Sequence, residues 1–253
     1  MKLAAAGALV VFLAIPAQAQ DDKAILEALR KFQDDYGRPR ASEDERIDAV
    51  KALARFHDGR VVKALAPCFT RSSVKVSMAV ARELGAFANL PVAVETLVNA
   101  LKSYECGGRR TNGIRILVIR SLGQLKAKEA AAEVDKLIVD KDTWVAKAAI
   151  DAAGLMRSKS SVDALIRALR RIEGPDGKGA IPENPLAEEL PNVGIKSIVN
   201  KSVTEQARPQ SERDVLSDPI LESLKSITRC NFAGAKEWEA WWSRSRSSFR
   251  VPE

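Results

Sequence analysis

The feature that most constrains this chain is a self-similarity that recurs about every thirty residues. Four stretches align: "RIDAVKALARFHDGRVVKALAPCF" (46–69), "SMAVARELGAFANLPVAVETLVNAL" (77–101), "ILVIRSLGQLKAKEAAAEVDKLI" (116–138) and "AKAAIDAAGLMRSKSSVDALIRAL" (146–169). Each opens with a helical apolar pattern that reaches a small residue, Ala54, Gly85, Gly123 or Gly154, and then a polar turn. A second apolar pattern follows and places Leu65, Leu97, Val134 or Leu165 eleven or twelve positions after the small one. The small residues are spaced by 31, 38 and 31, and the long interval contains an insertion, "YECGGRRTNG" (104–113). Self-similarity at such a period signals a repeat architecture.

Apolar positions at i, i+3, i+4 and i+7, as in Val162, Leu165, Ile166 and Leu169, predict amphipathic helices. One helix pair cannot bury such faces alone, whereas stacked pairs form a continuous core. The reading is therefore all-α, an α-solenoid of stacked antiparallel helix pairs over 44–172. Gly inside a helix costs about 1 kcal/mol relative to Ala. Its recurrence at one place points to close approach, expected between the two helices of a pair; a helix C-cap is the alternative.

The quoted repeats, and "SLGQLKAKEAAAEVDKLIVDKDTWVAKAAIDAAGLMRSKSSVDALIRAL" above all, resemble short-period bacterial HEAT repeats of the phycobilin-lyase-like (PBS-lyase-like) kind, as found in exported proteins. The resemblance implies an α-solenoid whose second helices line one face and whose relatives are mostly binding scaffolds. Some relatives resemble bilin lyases, and one group binds iron through His-Glu pairs. His57 is followed by Asp58, so the iron reading falls.

The flanks differ from the repeats. Residues 1–19 read as a signal peptide: Lys2, a thirteen-residue apolar run "LAAAGALVVFLAI", Pro16, and a small-x-small "AQA" before Gln20. That run is shorter than the roughly 20 residues of a membrane span. The expectation is an exported chain, periplasmic or extracellular, with no stable span after cleavage. Residues 20–43 hold an N-terminal helix, "KAILEALRKFQDDY", able to cover the open end of the stack, and Ser42 with Glu45 offers a capping box. Residues 173–216 form an irregular excursion. Their first half contains four of the eleven prolines, and Val193, Ile195, Ile198 and Val199 offer docking points, with a short helix or strand near 195–204. Residues 217–253 return to helix, with Pro219 suited to a first turn, and end in a tryptophan-rich cap.

In that cap Trp238, Trp241 and Trp242 share one helix face at i, i+3 and i+4. Each indole can bury on the order of 200 Å². The favoured role is to close the stack together with Phe232 and Leu224. A peptide or carbohydrate platform is a second reading, and a membrane-interface anchor beside "SRSRSSFR" is a third. The segment, with its Ile227-Thr228, Asn231-Phe232 and spaced tryptophans, resembles the terminal segment of exported bacterial HEAT proteins.

Chemistry is sparse. No nucleophile elbow, phosphate loop or His-Glu-x-x-His pattern occurs, so no catalytic residue is assigned and the chain is read as a non-enzyme. A single His and three dispersed cysteines argue against a built-in metal site, and no cofactor is expected. Cys68 shares a repeat position with Ala100 and Ala168 and reads as core filler. Whether any two of Cys68, Cys106 and Cys230 pair stays open. Without Lys2 the chain carries 39 basic (40 − 1) and 33 acidic residues, a mild excess that suits anionic partners and is far from a nucleic-acid-binding composition. Lys102, Lys136, Arg167 and Arg170 lie two or five positions beyond the aligned core residue of the second helices, where stacking could place them in a ladder. Arg109 and Arg110 lie in the insertion, where a glycine-rich loop opening a helix can hold an anion. The six form a candidate partner-binding surface, against the plainer alternative of a solvated face interrupted by Asp135, Asp140 and Asp163. The expected function is an exported scaffold binding a protein or peptide, with no nucleic acid. The alternatives are a lyase-like or chromophore-handling protein and a binder of an anionic envelope polymer.

Overall fold

The computed structural model describes residues 17–104, 109–174 and 212–252, with the side chains of 17–21 and 109–110 outside that description. Every regular element among them is helical. The helices are α1 (Ala17–Gly37), α2 (Glu43–Ala54), α3 (Gly59–Leu65), α4 (Cys68–Arg71), α5 (Val74–Leu84), α6 (Pro91–Ser103), α7 (Arg109–Gln124), α8 (Ala131–Lys136), α9 (Thr143–Met156), α10 (Lys159–Glu173), α11 (Glu212–Thr228) and α12 (Ala235–Ser245). Short 3-10 turns, Lys128–Ala130 and Leu137–Val139, flank α8.

The helices form two layers. In one, α2, α5, α7, α9 and α11 stack in chain order. In the other, α3 meets α6, α8 meets α10, and α10 meets α12. The expected solenoid is therefore present, and α11 with α12 occupies the place of a fifth pair. One apolar core runs through the stack from Phe32 to Trp242. The predicted stripes are inside: Val80, Leu84, Phe87, Val162, Leu165 and Leu169 have no exposed surface.

The recurring glycines serve a different joint from the one expected. A Cβ on Gly85 would lie 2.7 Å from Ser121 Oγ of α7. On Gly123 it would lie 3.0 Å from the Cα and Cβ of Ala152 in α9, and on Gly154 it would lie 2.7 Å from Ser223 Oγ of α11. The close approach is thus between the first helix of one pair and the first helix of the next, not between the two helices of one pair. Ser121 Oγ donates to Ala81 O at 2.7 Å and Ser223 Oγ donates to Ile150 O at 2.9 Å, so the crowded joints are also hydrogen-bonded. In each pair the contacting residue sits two positions before that pair's own glycine. After Ser223 that position is Lys225, which is exposed. No glycine seat is offered at the end of α11, and the register of close approach stops there.

Local sequence sets the helix ends. The capping box forms: Glu45 N donates to Ser42 Oγ at 3.2 Å and Ser42 N donates to Glu45 Oε2 at 2.7 Å. Helix α1 covers the first pair by packing on α2 and α3, and it already includes 17–19. Pro67 lacks an N–H, and the second helix of the first pair is split there into α3 and α4. Arg109 and Arg110 belong to the first turn of α7, a correction to their placement in a loop. Helix α11 is already helical at Glu212, so Pro219 stands inside it and not in its first turn. The 195–204 element, the docking of Val193, Ile195, Ile198 and Val199, and Cys106 lie outside the described residues. Among the described residues no helix is long and apolar enough to cross a membrane.

Candidate interaction surface

The basic residues of the second helices face acids: Lys102 and Lys136 share Glu133, Arg167 acts on Asp135, and Arg170 meets Glu239. Lys136 Nζ donates to Glu133 Oε2 at 2.7 Å, and Lys102 Nζ lies 3.5 Å from Glu133 Oε1. The ammonium of Lys136, then that of Lys102, holds the Glu133 carboxyl below the usual carboxylate range. Arg170 donates to Glu239 Oε1 of α12 at 2.9 Å. The charge of Arg167 acts on Asp135, whose carboxyl burial pushes up despite a hydrogen bond from Ser160 at 3.1 Å. The side chains of Arg109 and Arg110 lie outside the described residues. Ion pairs thus join the second pair of helices to the third, through Lys102 and Glu133, and α10 to α12, through Arg170 and Glu239. Such exposed pairs each contribute about 0–1 kcal/mol.

A cleft of about 580 Å³ opens where α10 meets the start of α12, lined by Arg170, Glu173, Arg213 and Glu237 among others. Two of its carboxylates are already engaged with backbone: Glu173 Oε2 accepts from Ala235 N and Glu237 Oε2 accepts from Ala233 N, each at 2.9 Å. Glu173 thereby caps α12, whose N-cap, Gly234, has no side chain to do so.

The tryptophan cap is packed. Trp238 has no exposed surface, and its Nε1 donates to Phe232 O at 3.2 Å. Phe232 meets Trp238 edge-on at 4.9 Å between centroids. Trp242 Nε1 donates to Asp163 Oδ1 of α10 at 2.8 Å. Trp241 is half-buried between Phe232, Trp238, Trp242 and Phe249.

The chain's fourth tryptophan, Trp144, is the exposed one, at 58%, and Val139 is exposed at 48%. The two flank the turn 140–142 between the third and fourth pairs. That turn is braced from α7. Arg115, with a side chain 9% exposed, donates to Asp140 and also to Asn112 Oδ1 at 3.2 Å. Asn112 Nδ2 donates to Asp142 Oδ2 at 2.8 Å. Asp142 Oδ1 in turn accepts from Trp144 N and Val145 N at 3.0 and 3.1 Å, forming the N-cap of α9. The indole therefore projects from a backbone fixed at both ends. Its exposure was readable in the repeat. Val145, Ala148, Ala149 and Ala152 are buried, whereas Trp144 falls one position off that stripe, on the side of Lys147, Asp151 and Leu155.

Cys68 is 3% exposed, and burial pushes its thiol up. His57 is exposed, its ring tilted against that of Phe87 at 4.8 Å between ring centroids. Cys68 and Cys230 are free thiols, and among the described residues no His, Cys, Asp and Glu cluster could hold a metal ion.

Two comparisons bear on this surface. No curated protein matches the chain. Residues 108–181 match the family model described as HEAT repeats, a stretch that includes α7, the braced turn, Trp144 and α10, and this match supports a HEAT-repeat protein.

Proposed function

We propose that this chain is an exported, non-catalytic scaffold that binds a protein or peptide through its solenoid surface, with Trp144 central to the contact. The observation that carries the reading is the exposed indole on a braced turn, inside the stretch that matches HEAT repeats. HEAT repeats commonly serve as protein-interaction scaffolds. Energetic anchors of protein interfaces are enriched in Trp, and a fixed backbone reduces the ordering cost of binding. Export is supported by the apolar run and the "AQA" that precede Gln20.

The alternatives draw less support. A lyase-like or chromophore-handling protein needs a reactive cysteine or an acidic pocket, and the thiol of Cys68 is buried with its ionisation disfavoured. An anionic polymer would have to compete with Glu133 for Lys102 and Lys136 and with Glu239 for Arg170.

The test is capture from an envelope extract on three baits: the parent, Trp144→Ala, and the triple variant Lys102→Glu, Lys136→Glu, Arg167→Glu. A protein retained by the parent and the triple variant but lost by Trp144→Ala supports the reading. Loss on the triple variant alone moves the contact to the second-helix face. Export is tested by N-terminal sequencing of the mature protein. A start at Gln20 is expected, and an intact Met1 in the membrane fraction contradicts it.

A further inference from the structure

After α12 the chain does not leave the body. Residues 246–252 lie against α12 and the junction of α9 with α10, with no helix of their own beyond the last turn. Three features hold them. The ring of Phe249 sits edge-on against both Trp241 and Trp242, with centroids 5.7 and 5.5 Å apart. Val251 packs against the core. The main chain is gripped by two cations at the junction of α9 and α10: Lys159, the first residue of α10, donates its Nζ to Phe249 O at 2.8 Å, and Arg157, just after α9, donates to Pro252 O. Arg157 is itself held in the left-handed region, φ 49°, and its Nε donates to Ser226 O at 3.1 Å. Its guanidinium is thus fixed across the joint between α9 and α11.

This is how a groove takes an extended peptide: one aromatic anchor, one aliphatic anchor, and side-chain donors on the backbone carbonyls. The two cations contact carbonyl oxygens, which any peptide supplies. Arg250 is exposed to solvent. We infer that the cleft between Arg157, Lys159, Trp241 and Trp242 is a peptide-binding groove, occupied in cis by residues 249–252. It takes a partner segment of the same pattern: aromatic, any residue, aliphatic, proline. The inference goes beyond the Trp144 surface and does not depend on it. The tail acts as a competing resident. A tethered segment faces its site at an effective concentration of about millimolar. A free peptide of about 10 μM intrinsic affinity would therefore bind the intact chain about 100-fold more weakly than a chain without its tail.

The test uses a blocked synthetic peptide of residues 246–252 as the probe, titrated by calorimetry or fluorescence anisotropy. The proteins are the full chain, a variant lacking 247–253, and that variant with Lys159→Ala, an exposed side chain whose hydrogen bond goes to the tail. Expected are saturable binding to the tail-deleted chain, at least tenfold weaker binding to the full chain, and at least tenfold loss on Lys159→Ala. Circular dichroism checks that the deleted chain keeps its helix content. If it does not, full-length Phe249→Ala, which removes only the aromatic anchor, replaces it and must gain binding over the parent. A folded tail-deleted chain, or a folded Phe249→Ala chain, that ignores the peptide overturns the proposal. Equal binding of a scrambled peptide also overturns it. A concentration-dependent dimer of the full chain would assign the groove to a second copy's tail instead.

Discussion

Trp144 and Trp238 are the same side chain in opposite situations. Trp238 sits at the end of the stack with no exposed surface, its ring edge-on to Phe232 and its N–H satisfied by Phe232 O. Trp144 sits in the middle of the stack, 58% exposed, with the order of its surroundings invested in the backbone beneath it. The end of a solenoid has an unpaired face to cover, so indoles there turn inward. The middle has neighbours on both sides already, so an indole there is not needed for the core. The contrast separates stability from recognition, and each region predicts a different response to mutation.

The largest effect falls at the end. Trp238→Ala removes a fully buried indole and is expected to cost about 3–5 kcal/mol. In a stacked architecture the loss should be local. Hydrogen exchange should accelerate over α10 to α12 while α5 and α7 stay protected. Equal acceleration across the whole chain would break the division into an end and a middle.

Next comes the brace. Arg115→Ala leaves Asp140, with a side chain 15% exposed, without its cation. Losing one partner of a buried pair costs about 3–5 kcal/mol, and the residual exposure here puts the expectation near about 3 kcal/mol. Urea denaturation measures it. The same variant should weaken partner capture, because the turn presenting Trp144 loses its hold. Unchanged capture would mean that the brace serves stability only.

The glycine seats give a smaller and sharper comparison. Gly154→Ala places a Cβ 2.7 Å from Ser223 Oγ and 3.2 Å from its Cα, and it should destabilise by about 1–3 kcal/mol. Lys225→Ala, at the equivalent place on the last first-layer helix, meets solvent and should change stability by less than about 0.5 kcal/mol. Two equal values by thermal or urea unfolding would contradict the account of where the stack ends.

How much of this was legible beforehand follows from the range of each signal. The helix pairs, their buried stripes and the Ser42–Glu45 capping box depend on residues close in sequence, and the pattern carried them. The glycines were visible, but their partners were not: Gly123 meets Ala152 and Gly154 meets Ser223, contacts fixed by how one pair stacks on the next. The basic residues show the same limit. Glu133 beside Lys136 is a local pair, whereas Lys102 with Glu133 and Arg170 with Glu239 need the stacking offset. Trp144 is a different case. Its place one residue off the stripe of α9 was readable from the sequence, a signal as local as those of the helix pairs.

The smallest effect concerns acid. Burial raises the Asp135 carboxyl above its ordinary value, so the folded chain takes up that proton at higher pH than the unfolded one. Stability from this group falls as pH rises through its folded pKa and is regained on acidification. Asp135→Asn should flatten that component in denaturation curves taken between the ordinary carboxylate range and neutrality. A variant whose pH profile matches the parent would remove Asp135 from the account.

The most direct measurement sets the two tryptophans side by side: urea unfolding and partner capture on Trp144→Ala and Trp238→Ala in parallel. The two variants should give a crossed result. Trp144→Ala should unfold within about 0.5 kcal/mol of the parent and lose its partner by about 2 kcal/mol or more, roughly thirtyfold in affinity. Trp238→Ala should lose stability and, where still folded, keep the partner. A Trp144→Ala chain that keeps full binding, or that loses as much stability as Trp238→Ala, would contradict it.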